Sequence, residues 1–591
     1  MKKILALTLA VVFTLMLLAS CADKTPTPTA APGNSDAPAA TATPAPGKTD
    51  APTTPTDEPT PEGPFPVDER GIATEPYNYP LPITTSEDVI TYWWSTYSPQ
   101  YLPTDKDYQD TELPMEARNR TGINVEYVNV PTQSRVEDFG VRLASDDLCD
   151  IMSYATAYYP GNPSQMVEDG YFANILEHAE WMPNYLYQAT YKDPTDKDTH
   201  ESVFYTEDLV PVAWMLWSSS IVYDSGWCVR QDFLDKVGMT ADEIVTWDDL
   251  EETLRLIKTS IDSVEFPMWM NSMIEINNYW QFNSFDNISV VTTIALPPIF
   301  HKDGKVMMGC TTEGDKALVT KFNEFFNAGL INADWQSYAF GMGFTQHTYN
   351  NETFYQSLGA AQIIDTKRLT SDPDCNWVAA QKPLITPDQV IHAGTIRSRT
   401  ATGNAGFATK NNNLELAMKW VDYRYSPEGW ELFNYGPEGL LSEIGDDGVR
   451  RNTEWALSSP NGINLGGLMS VYTIGQLVEP GMISTDRALL NPDAAIARGA
   501  SETWTSWLKV HYDAAGALPI GVRLDTEQSQ TVASLRADMI TYIAESFSGF
   551  ISGTAPLSEW DNYINTLNQM GLQEILDIYQ DAYDTYMARQ G

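Results

Sequence analysis

Short apolar stretches alternate with amphipathic ones from about residue 85 onward. The first five are Val89–Trp94, Leu113–Arg120, Ile123–Val130, Glu137–Ala144 and Asp150–Tyr154. The first, third and fifth are rich in the β-branched and aromatic residues of strands, while the other two have helical periodicity. A β-α-β-α-β order predicts a parallel sheet covered by helices on both faces, and therefore an α/β fold. Since ligands of such sheets bind at the carboxyl ends of the strands, residues at strand ends are the candidates for function.

The first twenty residues have the layout of a secretory signal. Lys2 and Lys3 precede the apolar run Ile4–Leu18, which is shorter than the roughly 20 residues that a membrane span needs. The string Leu18-Ala19-Ser20-Cys21 resembles the bacterial lipoprotein box. This resemblance implies that residues 1–20 are removed, and that a lipidated Cys21 holds the protein on the outer face of the cytoplasmic membrane. A plain secretory signal with an incidental cysteine is the alternative.

Residues 21–70 are rich in proline, threonine and alanine, and Phe65 is the first aromatic residue after Cys21. Such a segment cannot bury enough apolar surface to offset the entropy of ordering it, so we expect a disordered tether. Its proline content favours extended conformations, with a reach of up to roughly 140 Å. A cell-surface hydrolase would use the same kind of spacer, so the tether does not define the function.

The charge of the chain limits its partners. Lys and Arg total 36 against 79 Asp and Glu, a net charge of −43, which repels phosphate backbones and argues against nucleic-acid binding. The other cysteines lack metal-binding spacing, and we expect free buried thiols, with disulfide pairing as the alternative. They are Cys149, Cys228, Cys310 and Cys375. The chain has no H-E-x-x-H, G-x-S-x-G or G-x-x-x-x-G-K-[ST] motif, so we expect no metal, no cofactor and no enzymatic activity.

Several longer strings resemble the bacterial family 1 extracellular solute-binding proteins, the sugar-binding receptors of ABC transporters, and especially their large lipoprotein members. The strings are "ARNRTGINVEYVNVP", "FGVRLASDDLCDIM", "EDGYFANILEHAEWMPNYL", "VRQDFLDKVGMTADEIVTWDDLEETLRLIK", "GFATKNNNLELAMKWVDYRYSPEGWELFNYGPEG" and "SEWDNYINTLNQMGLQEILDIYQDAYDTYMARQ". They cover most of residues 110–260, 355–440 and 518–589, and their order along the chain is more specific than any one of them.

The resemblance implies a class II periplasmic-binding-protein-like fold, in which two α/β lobes joined by crossing strands close on a ligand. The first lobe is expected to contain residues 85–212 and 376–410. The second lobe, with C-terminal helices, is expected to contain residues 213–375 and 411–591. The expected partners are a sugar or oligosaccharide, the transmembrane permease subunits of an ABC importer and the membrane, with the protein itself a monomer.

A sugar receptor needs aromatic platforms for the apolar sugar faces and polar groups for the hydroxyls. We therefore predict ligand contacts among aromatic residues near strand ends, with core packing as the alternative for each: Trp94 and Tyr97 after the first strand, Tyr154 and Tyr158 after the third, and Trp217 in the segment that leads to the second lobe. Further candidates in the second lobe and near the return crossing are Trp269, Asn271, Trp280, Asp365 and Arg397. Asp365 is expected to end a strand over 360–364, and Arg397 would suit an acidic sugar.

Two other functions fit the same features. A surface-anchored polysaccharide-degrading enzyme would use a carboxylate pair whose spacing exists only in three dimensions. A carbohydrate-binding adhesin would bind polymer on a flat face without lobe closure. A receptor differs from both because it binds its ligand stoichiometrically, closes around it and does not turn it over.

Overall fold

The structure, a computed structural model, describes residues 64–94, 99–131, 134–218, 225–270, 283–291, 295–337, 344–370, 372–394, 398–410, 413–458, 460–463, 465–474, 479–484, 490 and 494–590. The predicted signal segment, Cys21 and most of the predicted tether lie outside these residues. So do four predicted ligand-binding residues, Tyr97, Asn271, Trp280 and Arg397. Within the described part, no helix is both long enough and apolar enough to cross a membrane.

The described strands are β1 (Val89–Trp94), β2 (Asn124–Asn129), β3 (Ile151–Ser153), β4 (Ala213–Trp217), β5 (Ser225–Arg230), β6 (Ile299–Lys302), β7 (Lys305–Met308), β8 (Tyr355–Gly359), β9 (Trp377–Ala379), β10 (Thr400–Phe407), β11 (Ser442–Ile444), β12 (Arg450–Asn452) and β13 (Gly481–Ile483). Six of them form a sheet of order β13-β4-β10-β3-β1-β2, and three form a sheet of order β8-β5-β9. In the larger sheet β1 is parallel to β2 and β3, as predicted, and only β10 runs in the opposite direction.

The described α-helices are α1 (Glu112–Thr121), α2 (Arg135–Ser145), α3 (Ala155–Tyr158), α4 (Pro163–Glu168), α5 (Pro183–Thr190), α6 (Lys197–Val203), α7 (Gln231–Val237), α8 (Trp247–Ser260), α9 (Glu313–Asn327), α10 (Phe344–Tyr349), α11 (Ala360–Leu369), α12 (Leu414–Tyr423), α13 (Pro427–Tyr435), α14 (Glu454–Leu457), α15 (Leu465–Tyr472), α16 (Ala494–His511), α17 (Thr526–Ser552), α18 (Trp560–Gln569) and α19 (Leu572–Gln590). Their starts follow local chemistry. Before α8, for example, the Thr246 hydroxyl accepts from the Asp249 N–H and the Asp249 carboxylate accepts from the Thr246 N–H, which is a capping box.

The six-stranded sheet is covered on both faces, as the sequence pattern predicts. Ile90, Tyr92 and Trp94 point into one core, together with helices α5 and α12. Trp93 points into a second core on the other face, with Phe139 of α2. Because neighbouring side chains of a strand alternate between faces and both faces are covered, Trp93 and Trp94 are both buried. We call this body, with its helices, the first lobe.

The three-stranded sheet also has a core on each face. Trp227 and Val229 of β5 face a large core formed with α8, α9 and the C-terminal helices α17–α19. Cys228 faces the other side, where α11 and α16 pack. We call this body the second lobe; it contains the described residues of 225–394 and 494–590.

The division of the chain between the lobes differs from the predicted one. Strand β4 pairs within the six-stranded sheet. The described residues of 413–483, which were expected in the second lobe, pack on that sheet. Trp420 of α12 and Phe433 of α13 are buried in the first core. Conversely, β9 was expected in the first lobe and pairs with β5 of the second. The physical reason is the extra strand β13, which brings the chain back beside β4 before the C-terminal helices begin.

Candidate functional site

One edge of the six-stranded sheet collects the ends of most of its strands. β1, β2, β3, β4 and β13 all run in one direction, so their carboxyl ends meet at the same edge, and the antiparallel β10 begins there. We call this the carboxyl edge. Trp217, Ser153 and Ile483 end strands at it. In α/β sheets this is the edge at which ligands bind.

The chain passes between the lobes three times near this edge. It leaves β4 after Trp217 and enters β5 at Ser225. It returns from β9 to β10, which begins at Thr400. It leaves the first lobe again after β13 and continues into α16. Helix α16 packs on the three-stranded sheet, where Trp504 donates its indole N–H to Trp227 O at 3.1 Å. All three crossings start or end at the carboxyl edge, so this edge lies where the chain passes between the lobes.

Trp217, the strongest sequence-based candidate, lies at this edge and is half-buried. Its backbone N–H donates to Arg399 O at 2.7 Å, and Arg399 Nη1 donates to Trp217 O at 3.3 Å. Arg399 is itself 5% exposed and donates from Nε to Asp196 Oδ2 at 2.9 Å. The two segments that join the lobes are therefore fixed to each other, and the guanidinium charge of Arg399 is balanced by a carboxylate of the first lobe.

Tyr154 and Tyr158 also lie at the carboxyl edge, half-buried, directly after β3. Tyr154 has φ of 53°, a left-handed conformation that an aromatic residue rarely adopts and that costs of order 1 kcal/mol or more. The turn is held by Asn404, whose backbone oxygen accepts from the Tyr154 N–H at 2.7 Å. Tyr158 packs edge-on against Trp93, with ring centroids 5.8 Å apart. Strain that is supported by the neighbouring strand is typical of a functional position.

Two predicted platforms lie in cores instead. Trp94 is fully buried and stacks on Tyr108 at 4.3 Å, so it belongs to the core of the first lobe and the predicted exposure toward a ligand is wrong. Trp269 is 3% exposed and stacks on the imidazole of His347 at 4.3 Å in the second lobe. Trp94 was predicted from its position at a strand end and Trp269 from the aromatic and amide residues around it, and neither pattern reveals how the side chain packs.

Asp365 does not lie at the end of a strand, where the sequence pattern predicts it. The stretch 360–364 is the start of helix α11, and the preceding strand is β8, so Asp365 lies within a helix and does not end a strand. It lies close to Tyr349 of α10: burial raises the pKa of Tyr349 to about 12, and the charges of Asp365 and of Tyr101 contribute to that shift. Tyr101 belongs to the first lobe, in the turn after β1. A carboxylate of the second lobe and a phenol of the first lobe therefore both lie near Tyr349.

Sequence reasoning missed Tyr101 and Tyr349. The signal for Tyr101 was available, since it follows the end of β1 by a few residues, as Tyr154 follows β3. Tyr349 carried no such signal, because it lies in a short helix whose position depends on the fold. Among the residues that the structure describes, no group of three or more His, Cys, Asp or Glu side chains is arranged to hold a metal ion.

Two α/β lobes joined by crossing segments are the arrangement found in bacterial solute-binding proteins. No protein-family model matches the chain. The fructooligosaccharide ABC transporter substrate-binding protein FusA of Streptococcus pneumoniae is 24% identical over 392 residues, which cover 62% of this chain and 67% of FusA.

Solved structures share the fold across most of the chain. FusA in complex with kestose matches with a TM-score of 0.65 and 17% identity, over 85% of this chain and 100% of FusA. An HMO-binding ABC-transporter-associated solute-binding protein from Bifidobacterium longum infantis matches with a TM-score of 0.64 and 17% identity, over 84% of this chain and 99% of that protein. The N-glycan transport solute-binding protein NgtS of Streptococcus pneumoniae, in complex with Man5GlcNAc, matches with a TM-score of 0.55 and 16% identity, over 85% of this chain and 100% of NgtS. These neighbours confirm the predicted fold.

Proposed function

We propose that this chain is the receptor of an ABC importer and that it binds an oligosaccharide between its two lobes without turning it over. The observation that carries the proposal is the carboxyl edge, where Trp217 and Tyr154 lie beside the crossing segments. Half-buried aromatic rings at a cleft suit the apolar faces of sugar rings. The named ligands of similar proteins, kestose, Man5GlcNAc and HMOs, are all oligosaccharides and support the same class.

We infer a neutral sugar. Arg399, a cation at the described part of the edge, is already paired with Asp196, while Asp365 brings a carboxylate to the region between the lobes. A carboxylate accepts hydrogen bonds from sugar hydroxyls, whereas it repels an anionic sugar.

The protein is proposed to work at the cell surface as a monomer, held by lipid on Cys21 and delivering its ligand to two permease subunits. The described chain begins on the first lobe, where the Tyr77 N–H donates to Asn184 Oδ1 at 2.8 Å and the Tyr79 hydroxyl donates to Asp422 Oδ2 at 2.8 Å. A tether at Cys21 would therefore hold the first lobe and leave the second free to move. Labelled palmitate should enter the protein in cells and should not enter a Cys21→Ala variant.

Titration calorimetry with the full-length chain tests the binding function. The panel contains kestose, Man5GlcNAc, HMOs, an acidic alginate oligosaccharide and the monosaccharides of each. We expect one neutral oligosaccharide class to bind at a 1:1 ratio and to be recovered intact. Steady formation of shorter products would make the protein an enzyme, and binding of insoluble polymer alone would make it an adhesin. Selective binding of the acidic sugar would contradict the assignment of a neutral ligand.

A further inference from the structure

A second set of contacts joins the lobes, apart from the crossing segments. It connects helix α6 of the first lobe, and the loop after it, with the loop before α17 and the helix α19 of the second lobe. Five residues form it, and we call them the hinge contact: Glu201, Tyr205, Gly521, Arg523 and Tyr586. The interactions of Arg523 with Glu201, of Arg523 with Tyr205 and of Tyr586 with Glu201 each pair a residue of the second lobe with one of the first.

Arg523 is the centre of the hinge contact. Its guanidinium donates to the backbone oxygen of Glu201 and lies over the ring of Tyr205, 5.0 Å from the centroid. The Tyr586 hydroxyl donates to Glu201 Oε1 at 3.1 Å. The lobes approach closely here: a Cβ on Gly521 would lie 2.5 Å from Tyr586 Cε2 and 2.9 Å from Glu201 Oε2. A methyl group at position 521 would therefore press on the Tyr586 ring of its own lobe and on the Glu201 carboxylate of the first lobe.

The partners of Arg523 make this contact weak. The guanidinium donates to the carbonyl oxygens of Ile520 and Glu201, with no carboxylate in direct contact among the described residues, and its Nε is buried without a hydrogen-bond partner there. Burial accordingly lowers the pKa of Arg523 from its ordinary value. A buried charge that is only partly paired costs free energy, which offsets much of what the other interactions contribute. Such a contact can break without unfolding either lobe.

Helix α6 connects the hinge contact to the crossing segments. At its start, Asp196 accepts from Arg399 Nε at 2.9 Å, and the buried Thr199 hydroxyl accepts from the Arg399 N–H at 2.8 Å. Glu201 lies on the same short helix, less than one turn further on. A movement at the crossing segments is therefore transmitted to Glu201 through a rigid element of seven residues.

We propose that the hinge contact holds the two lobes at a preferred angle, and that it is released when the angle changes. Lobes joined by a few crossing segments move relative to each other by default. A contact beside the hinge that either forms or breaks restricts this motion to a smaller set of angles between the lobes. In this role Arg523 and Tyr586 act on the lobe arrangement and not on the ligand. The inference concerns the protein without sugar, so it does not rest on the proposed ligand.

The test measures the distance between the lobes in the absence of sugar. Val136 of the first lobe and Val510 of the second are 67% and 65% exposed, so spin labels on V136C and V510C report the separation. The four described native cysteines are buried, and Cys21→Ser in the full-length chain removes the remaining thiol. R523A is expected to broaden the distance distribution. R589A, the same charge change at an exposed position of α19, is expected to leave it unchanged.

Two further variants keep the proposal testable if R523A does not fold. Y586F removes one hydroxyl and G521A adds one methyl group at the close approach, and both should broaden the distribution while circular dichroism stays that of the parent. Distributions in all folded variants that superimpose on the parent would overturn the proposal. Failure to bind any sugar would leave this result intact and would count against the proposed function alone.

Discussion

Trp217 and Arg399 are joined by two hydrogen bonds, one between backbone groups and one from the Arg399 side chain, at the point where the chain crosses between the lobes. The Trp217 N–H donates to Arg399 O at 2.7 Å, and Arg399 Nη1 returns a bond to Trp217 O at 3.3 Å. Trp217 ends β4, and Arg399 immediately precedes β10, 182 residues further along the chain. The candidate platform for the ligand is thus part of the hinge itself, so a sugar that touches Trp217 would also sense the lobe arrangement.

We expect Trp217→Ala to weaken the oligosaccharide by roughly tenfold or more, because a lost aromatic contact of about 1.4 kcal/mol corresponds to a factor of ten. The measurement is titration calorimetry with the best ligand of the panel. Trp455→Ala is the matched control, since Trp455 is 40% exposed on the first lobe and lies in α14, away from β4 and its crossing. Equal affinity in the two variants would remove Trp217 from the site.

Asp422 should make the stability of the first lobe depend on pH. Burial raises the pKa of Asp422 from 3.8 to about 6. Hydrogen bonds from the Tyr185 N–H, Asn184 and Tyr79 lower the pKa and offset only part of this effect. Between pH 4 and 6 the folded state keeps a proton that the unfolded chain has lost. The stabilisation is therefore complete below pH 4 and is lost as the pH rises through 6, a change of about 3 kcal/mol for two pKa units.

Urea unfolding of the parent and of Asp422→Asn at pH 4 to 7 measures this contribution. The difference in unfolding free energy between the two proteins should vary with pH between about 4 and 6 and level off toward pH 7. A constant difference would show that Asp422 titrates alike in both states.

Replacing only one partner of the buried ion pair Arg424–Glu479 should lower the free energy of unfolding strongly. Arg424 Nη1 and Glu479 Oε2 are 2.6 Å apart, with side chains 0% and 8% exposed. Glu479→Ala leaves the guanidinium buried without its carboxylate, so we expect a loss of about 3–5 kcal/mol of stability. The double variant R424M/E479L should recover part of that loss in urea unfolding. A single variant as stable as the parent would contradict the assignment of a buried pair.

The described thiols should be unreactive until the protein unfolds. Burial raises the pKa of Cys149 to about 11 and raises those of Cys228, Cys310 and Cys375 as well, so little thiolate exists at pH 8. In a Cys21→Ser background, Ellman's reagent should release no thiolate from native protein and four equivalents after guanidinium unfolding. Fewer than four would indicate a disulfide.

The sequence pattern was most informative where elements are local. The alternation of strands and helices over 89–154 is confirmed, because periodicity and turn residues act over a few neighbours. The strand predicted over 360–364 is wrong, because a short apolar run cannot be assigned to strand or helix by periodicity alone. There Gly359 ends the ladder with β5, and the apolar residues Ile363 and Ile364 pack from a helix instead.

The sequence by itself determined the α/β architecture, the strand ends that were worth inspecting and the position of Trp217 near a crossing. Only the tertiary structure decided that the described residues of 413–483 return to the first lobe, that Trp94 is core, and that Tyr101 and Asp365 both lie near Tyr349. The reason is physical. Local pattern reflects the preferences of neighbouring residues, whereas burial and approach across a cleft depend on segments hundreds of residues apart that meet only when both lobes have folded.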